Sequence, residues 1–223
     1  MLEKIKLLLE LQRYQEGREG NTDLAGRVVW EFNGNSKVNQ MKAWAETPHG
    51  KRYLAGERIL DNIESFRDRD SNTLGTKYLQ WIDKYNFGVV HDELPTIKDK
   101  YDNPLVKAYG TYLADMHDIT HIITGYPPDT FGELMRIRIM KQFEGRGWGI
   151  LWWNGWLKAQ FLSSQERKYF NLATQEAKET AKTAKNYIFE DCFEMLGWHI
   201  NKVRKNLSTK SNTLWNWEKD LNV

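Results

Sequence analysis

Two of the chain's five histidines, His117 and His121, stand four apart in the stretch "MHDITHIITGYPPDTFGELM", residues 116–135, with Asp118 between them and Glu133 beyond a turn. On a helix, at about 100° per residue, the two imidazoles lie about 40° apart and Asp118 about 60° past His121, so the three side chains share an arc of roughly 100°. Imidazoles spaced i, i+4 converge on a zinc-like ion, and a carboxylate across a turn adds a ligand. An ordinary reading competes on equal terms. Thr130 and Glu133 form a T-x-x-E capping box, and histidines near a helix C-terminus favour the macrodipole when charged. Spacing alone does not separate the two. The other histidines offer less. His91-Asp92 lacks a second imidazole and reads as a surface feature, His49 beside Gly50 reads as loop, and His199 in "LGWHINK" reads as a hydrogen-bonded helix residue. The single cysteine, Cys192, sits in an apolar stretch that reads as a buried helix and points to a reducing compartment.

The elements that must position these residues are helical. Asp102 or Asn103 can cap a helix that starts on Pro104, and Gly125 with Pro127 and Pro128 stops it, which puts both histidines in its last turns. Periodicity predicts further helices over Leu2–Tyr14, Lys37–Ala45, Tyr53–Arg67, Thr73–Tyr85, Phe131–Phe143, Ile150–Phe161 and a long, kinked Gln165–Lys205, with "RVVWEF" ambiguous between helix and strand. The expected architecture is all-α: one multi-helix domain over residues 1–223, a metal site between two consecutive helices, and a tail, 207–223, that docks or frays.

Lys+Arg number 32 against Asp+Glu 30, a net charge of +2, which leaves no electrostatic footprint for nucleic acid. The opening residues mix Glu3, Glu10 and Glu16 with apolar ones, unlike a signal or transit peptide. No apolar window reaches the roughly 20 residues a bilayer needs, so a cytoplasmic chain is expected. The most apolar one, Trp148–Leu162, crowds four tryptophans and is flanked by Gly145, Gly147, Gly149 and Gly155. It reads either as a core helix packed through glycine or as a wall that holds a lipid chain or rests on a membrane. In the second reading a long apolar channel leads from the metal to the surface past this segment.

The pattern His117-Asp118-x-x-His121-x11-Glu133, with Gly125 and the Pro127-Pro128 pair in the connecting turn, resembles the signature of the coenzyme Q (ubiquinone) biosynthesis protein 4 family. The upstream block "GERILDNIESFRDRDSNTLGTKYLQWID" is similar to that family's Gly-x-x-Ile-Leu turn and Leu-Gly-x-x-Tyr helix, so the likeness covers about Tyr53 to Met140. It implies an all-α fold and a divalent metal, zinc first and magnesium as a substitute, held by His117, Asp118, His121 and Glu133 as the catalytic set. It also implies a prenylated lipid substrate, peripheral membrane association and other quinone-biosynthesis proteins as partners. The implied activity is a polyprenyl-hydroxybenzoate decarboxylase, a carbon–carbon lyase, coupled to hydroxylation of the same carbon. Asp118 either ligates or orients a histidine. Arg136 either holds a substrate carboxylate or is an ion-paired helix arginine, while Trp152 and Trp156 are candidate substrate contacts and a homodimer is a further expectation. The main rival is a non-catalytic lipid-binding scaffold that presents prenylated intermediates. A metal-dependent phosphohydrolase is a third reading, although that family's further His and Asp ligands have no match in order here.

Overall fold

A computed structural model describes residues 21–33, 35–87, 103–214 and 216–218; the expected helix Leu2–Tyr14 and the His91-Asp92 dipeptide lie outside them. The described residues form ten helices and no strand: α1 (Asn21–Asn33), α2 (Asn35–Ala45), α3 (Pro48–Leu54), α4 (Leu74–Tyr85), α5 (Pro104–Thr124), α6 (Thr130–Glu144), α7 (Arg146–Ala159), α8 (Ser164–Thr183), α9 (Cys192–Met195) and α10 (Ile200–Asn206). The all-α expectation holds, and "RVVWEF" is helical within α1.

Two expected helices are broken, for local reasons. The one placed at Tyr53–Arg67 starts earlier and ends sooner. Thr47 accepts the Gly50 N–H at 3.0 Å and Pro48 takes the first helical position, so α3 begins at Pro48 and closes at Leu54; only a 3-10 turn, Ile63–Phe66, remains beyond it. The long C-terminal helix stops at Thr183. Past it, Asn186, Asp191 and His199 each turn a side chain back to accept a backbone N–H, and these caps open a 3-10 turn, α9 and α10 in place of one continuous helix.

The chain divides into two compact units. One takes in Gln40–Thr124 and Ala184–Ser211, the other Gly125–Thr183 with the described residues before Gln40 and after Ser211. In the first, α3 and α4 both pack on α5. Its core is aromatic: Trp44 lies 5.0 Å from Tyr109 and 5.1 Å from Tyr112 between ring centroids, and the Tyr112 hydroxyl donates to the Ile188 carbonyl at 3.0 Å. His49 belongs to this core, not to a loop. It is 1% exposed, stacks on Tyr112 and bonds through Nε2 to the Ile188 carbonyl at 2.9 Å. His199 is the α10 cap, accepting the Asn201 N–H through Nδ1. Cys192 is fully buried in α9, and that burial pushes its thiol up, away from reactivity.

Burial holds His49 below its ordinary value of 6.5, outweighing the Ile188 hydrogen bond and the nearby Asp191 and Glu190 charges. The unfolded chain therefore binds the extra proton first, and stability present above pH 6.5 is lost as the pH falls below it. The melting temperature should drop between pH 7 and 5, and His49→Gln, which keeps a donor for Ile188, should flatten that drop. An unchanged slope would contradict this.

In the second unit, α6 carries α7 and α8, and α7 also lies on α1. Glycine sets these distances. A Cβ on Gly155 would meet Leu134 Cδ2 at 1.9 Å, and one on Gly147 would meet the Val29 Cα at 2.4 Å. Asn33 joins the helix ends, donating to the Glu144 carbonyl at 2.6 Å while its Oδ1 accepts the Gly147 N–H at 2.9 Å. Beside it the Lys37 ammonium pairs with the buried Glu144 carboxylate. In the tail, Trp217 is fully buried and donates its backbone N–H to the Gly125 carbonyl at 3.1 Å.

Candidate metal centre

Helix α5 runs from Pro104 to Thr124 and ends within a turn of His121. Asn103 Oδ1 accepts the Leu105 N–H at 2.9 Å and Pro104 occupies the first position, while at the other end Gly125 takes φ 78°, a left-handed stop. The last carbonyls are not left bare. The Arg204 guanidinium of α10 donates to the Ile123 carbonyl at 2.9 Å and to that of Ile122 at 3.0 Å, placing a cation on the negative helix end. Thr120 and Thr124 satisfy their buried hydroxyls on the backbone one turn back, at His117 and Thr120, each at 2.6 Å.

The histidines share one face, as the spacing required. Their ring centroids are 5.0 Å apart. His121 is fully buried, and Trp81 of α4 stacks on it at 5.9 Å with ring planes 23° apart, which fixes the imidazole from one side. Asp118 Oδ1 lies 2.8 Å from His117 Nδ1, so it partners His117. A ring held at Nδ1 presents Nε2 outward.

Glu133 enters from α6. The cap of that helix is Asp129, whose side chain accepts the Gly132 N–H at 2.7 Å. With the cap at Asp129, the third helical position is Gly132, and Glu133 stands outside any capping box. Gly132 is required there: a Cβ would meet the Pro127 carbonyl oxygen at 1.8 Å, so the turn closes tightly under the residue before Glu133. The Glu133 carboxylate accepts from Arg136 Nε at 3.3 Å. His117 and His121 present two imidazoles on one face of α5, and Glu133 is the carboxylate that the sequence motif adds from α6. Two imidazoles and a carboxylate form a donor set that suits zinc better than magnesium, which prefers oxygen.

Arg136 is buried and ion-paired, with its guanidinium also 5.1 Å from the Trp148 ring. Trp152 and Trp156 stack on each other at 6.5 Å, and Trp156 packs against the core of α6 and α8. An apolar cavity in this unit is lined by Tyr126, Phe131 and Met135 and by Tyr169, Phe170 and Ala173 of α8, with Glu166 the only carboxylate among its lining residues. None of that lining comes from Trp148–Leu162, where the channel was expected.

Behind the histidines lies a buried network whose residues are not among those the spacing singles out. Asp115, fully buried one turn before Asp118, accepts from the Tyr53 hydroxyl at 2.8 Å and from Arg58 Nη2 at 2.5 Å. Burial raises its carboxyl above the usual range, against the opposing pull of Arg58. The available signal was its i−3 relation to Asp118, a second acid along the same side of the helix.

No curated protein matches this chain in sequence. In structure the chain is similar to the crystal structure of a protein from Nostoc punctiforme PCC 73102 described as a ubiquinone biosynthesis protein, with a TM-score of 0.68 and 12% identity over 93% of this chain and 97% of that one, a likeness of fold. Residues 31–212 match the family described as Coenzyme Q (ubiquinone) biosynthesis protein Coq4. That match spans most of the chain and contains His117, Asp118, His121 and Glu133, and the chain belongs to this family.

Proposed function

We propose that this chain is a metal-dependent enzyme of ubiquinone-type biosynthesis that removes the ring carboxyl of a polyprenylated hydroxybenzoate as carbon dioxide and places a hydroxyl on the same carbon, consuming dioxygen and water and releasing hydrogen peroxide. The observation that carries this is the His117 and His121 pair on one face of α5, with Glu133 completing the sequence motif, in a member of this family. A divalent cation held there, zinc by the character of its donors, supplies Lewis acidity to a carboxylate or phenolate oxygen. The chain's own residues do the rest. Asp118 fixes the ring of His117, and Trp81 fixes that of His121. Arg136, already paired with Glu133, offers a guanidinium to a substrate carboxylate, and Trp152 and Trp156 give a flat apolar surface for the first isoprene units. The prenyl tail places the enzyme at a membrane surface, where it works with other quinone-pathway proteins.

The scaffold reading differs in one result. Zinc-loaded protein, a short-chain prenyl-hydroxybenzoate in detergent and dioxygen should yield carbon dioxide and the ring-hydroxylated product, read by mass spectrometry. Tight substrate binding with no product above a metal-free control would favour the scaffold.

A further inference from the structure

Helix α7 is apolar on both sides. Its inward face is narrow, made of Gly147, Leu151, Gly155 and Ala159, all buried. The bulk points out: Trp153 is 55% exposed, Leu157 48% and Phe161, in the turn after the helix, 92%. These residues follow at i, i+4 and i+8, one stripe along the helix. Water-facing aromatic surface of this extent marks an interaction site rather than core packing.

The flanks are cationic. Arg138 and Lys141 of α6 reach over the Trp152 ring at 5.5 and 4.5 Å, and neither pairs with a carboxylate among the described residues. Burial lowers both groups, and the neighbouring Arg138 charge lowers Lys141 further. At the far end Arg167 donates to the Leu162 carbonyl at 3.1 Å, next to Phe161. Helix α7 contains no acidic residue. The one acid of the following turn, Glu166, is engaged by the Ser163 N–H at 2.9 Å.

We propose that Trp153, Leu157 and Phe161 dock this chain on a bilayer containing anionic lipid, with Arg138 and Lys141 against the headgroups. Tryptophan sits in the headgroup layer, and flanking cations draw a protein to a negative leaflet. A second copy of the chain fits the same face poorly, because a twofold contact would set these cations against their own images. The inference rests on the peripheral-membrane part of the function proposed above and on none of its chemistry.

The test is co-sedimentation of the full chain with vesicles of phosphatidylcholine alone and of phosphatidylcholine mixed with phosphatidylglycerol. Wild type should bind the mixed vesicles more tightly. Trp153→Gln, Leu157→Gln and Phe161→Gln together should weaken that binding at least about tenfold, with an unchanged melting temperature. Arg138→Gln with Lys141→Gln should cost about fivefold per cation on mixed vesicles and nothing on neutral ones. Equal binding by wild type and the triple variant would overturn the proposal. So would a wild type that ignores both vesicles, or a triple variant whose only change is loss of a dimer in sedimentation velocity. Turnover of detergent-dispersed substrate, measured in parallel, reads the proposed chemistry separately from this face.

Discussion

Lys37→Ala should lower the stability of the fold by about 3–5 kcal/mol, because it leaves the Glu144 carboxylate buried without its countercharge. The two side chains are 1% and 0% exposed, so solvent cannot take over the role of the lost ammonium. For a chain of this length that corresponds to a fall in melting temperature of roughly 6–20 °C. Replacing both partners, Lys37→Met with Glu144→Leu, removes the charge as well as its partner and should recover most of the loss. A single variant that melts within about 2 °C of wild type, or a double variant no better than the single, would show that the pair does not hold α2 to the end of α6.

Glu133→Gln should separate metal binding from folding. Asp129 caps α6, and Glu133 stands one residue past the capping-box position, so glutamine costs the metal-free fold no cap and only about 1–3 kcal/mol of weakened attraction to the buried Arg136 guanidinium, for which it keeps an acceptor oxygen. The same substitution takes away the only carboxylate of the proposed donor set. Zinc affinity measured by competition with a chromogenic chelator should fall by more than about 100-fold, beyond the roughly 10- to 100-fold expected for Asp118→Asn, which disturbs only the orientation of His117. Equal losses of melting temperature with metal and with chelator would instead assign Glu133 to the helix start.

The helical class and the shared face of His117 and His121 were legible because both rest on local spacing. Pro104, Gly125 and the i, i+4 histidines are signals within a few residues of one another, and the structure realises them in α5. Two readings failed where a nearby polar side chain overrode periodicity. The caps at Asn186, Asp191 and His199 cut a pattern that looked continuous, and Thr47 with Pro48 started a helix that drew His49 into the core. The capping box at Thr130 and Glu133 was plausible by spacing but lost to Asp129, one residue earlier. What no local signal shows is pairing across long stretches of sequence. Tyr53 and Arg58 on Asp115, Arg204 on the end of α5 and Trp81 on His121 become visible only once the helices are packed.

The proposed chemistry requires a metal bound at His117 and His121. Protein purified without chelator, loaded with zinc and freed of excess by gel filtration, can be analysed by inductively coupled plasma mass spectrometry beside a variant carrying His117→Ala and His121→Ala. A single zinc ion should remain per wild-type chain and none on the variant; equal zinc in both proteins, or none in either, would show that these histidines hold no metal.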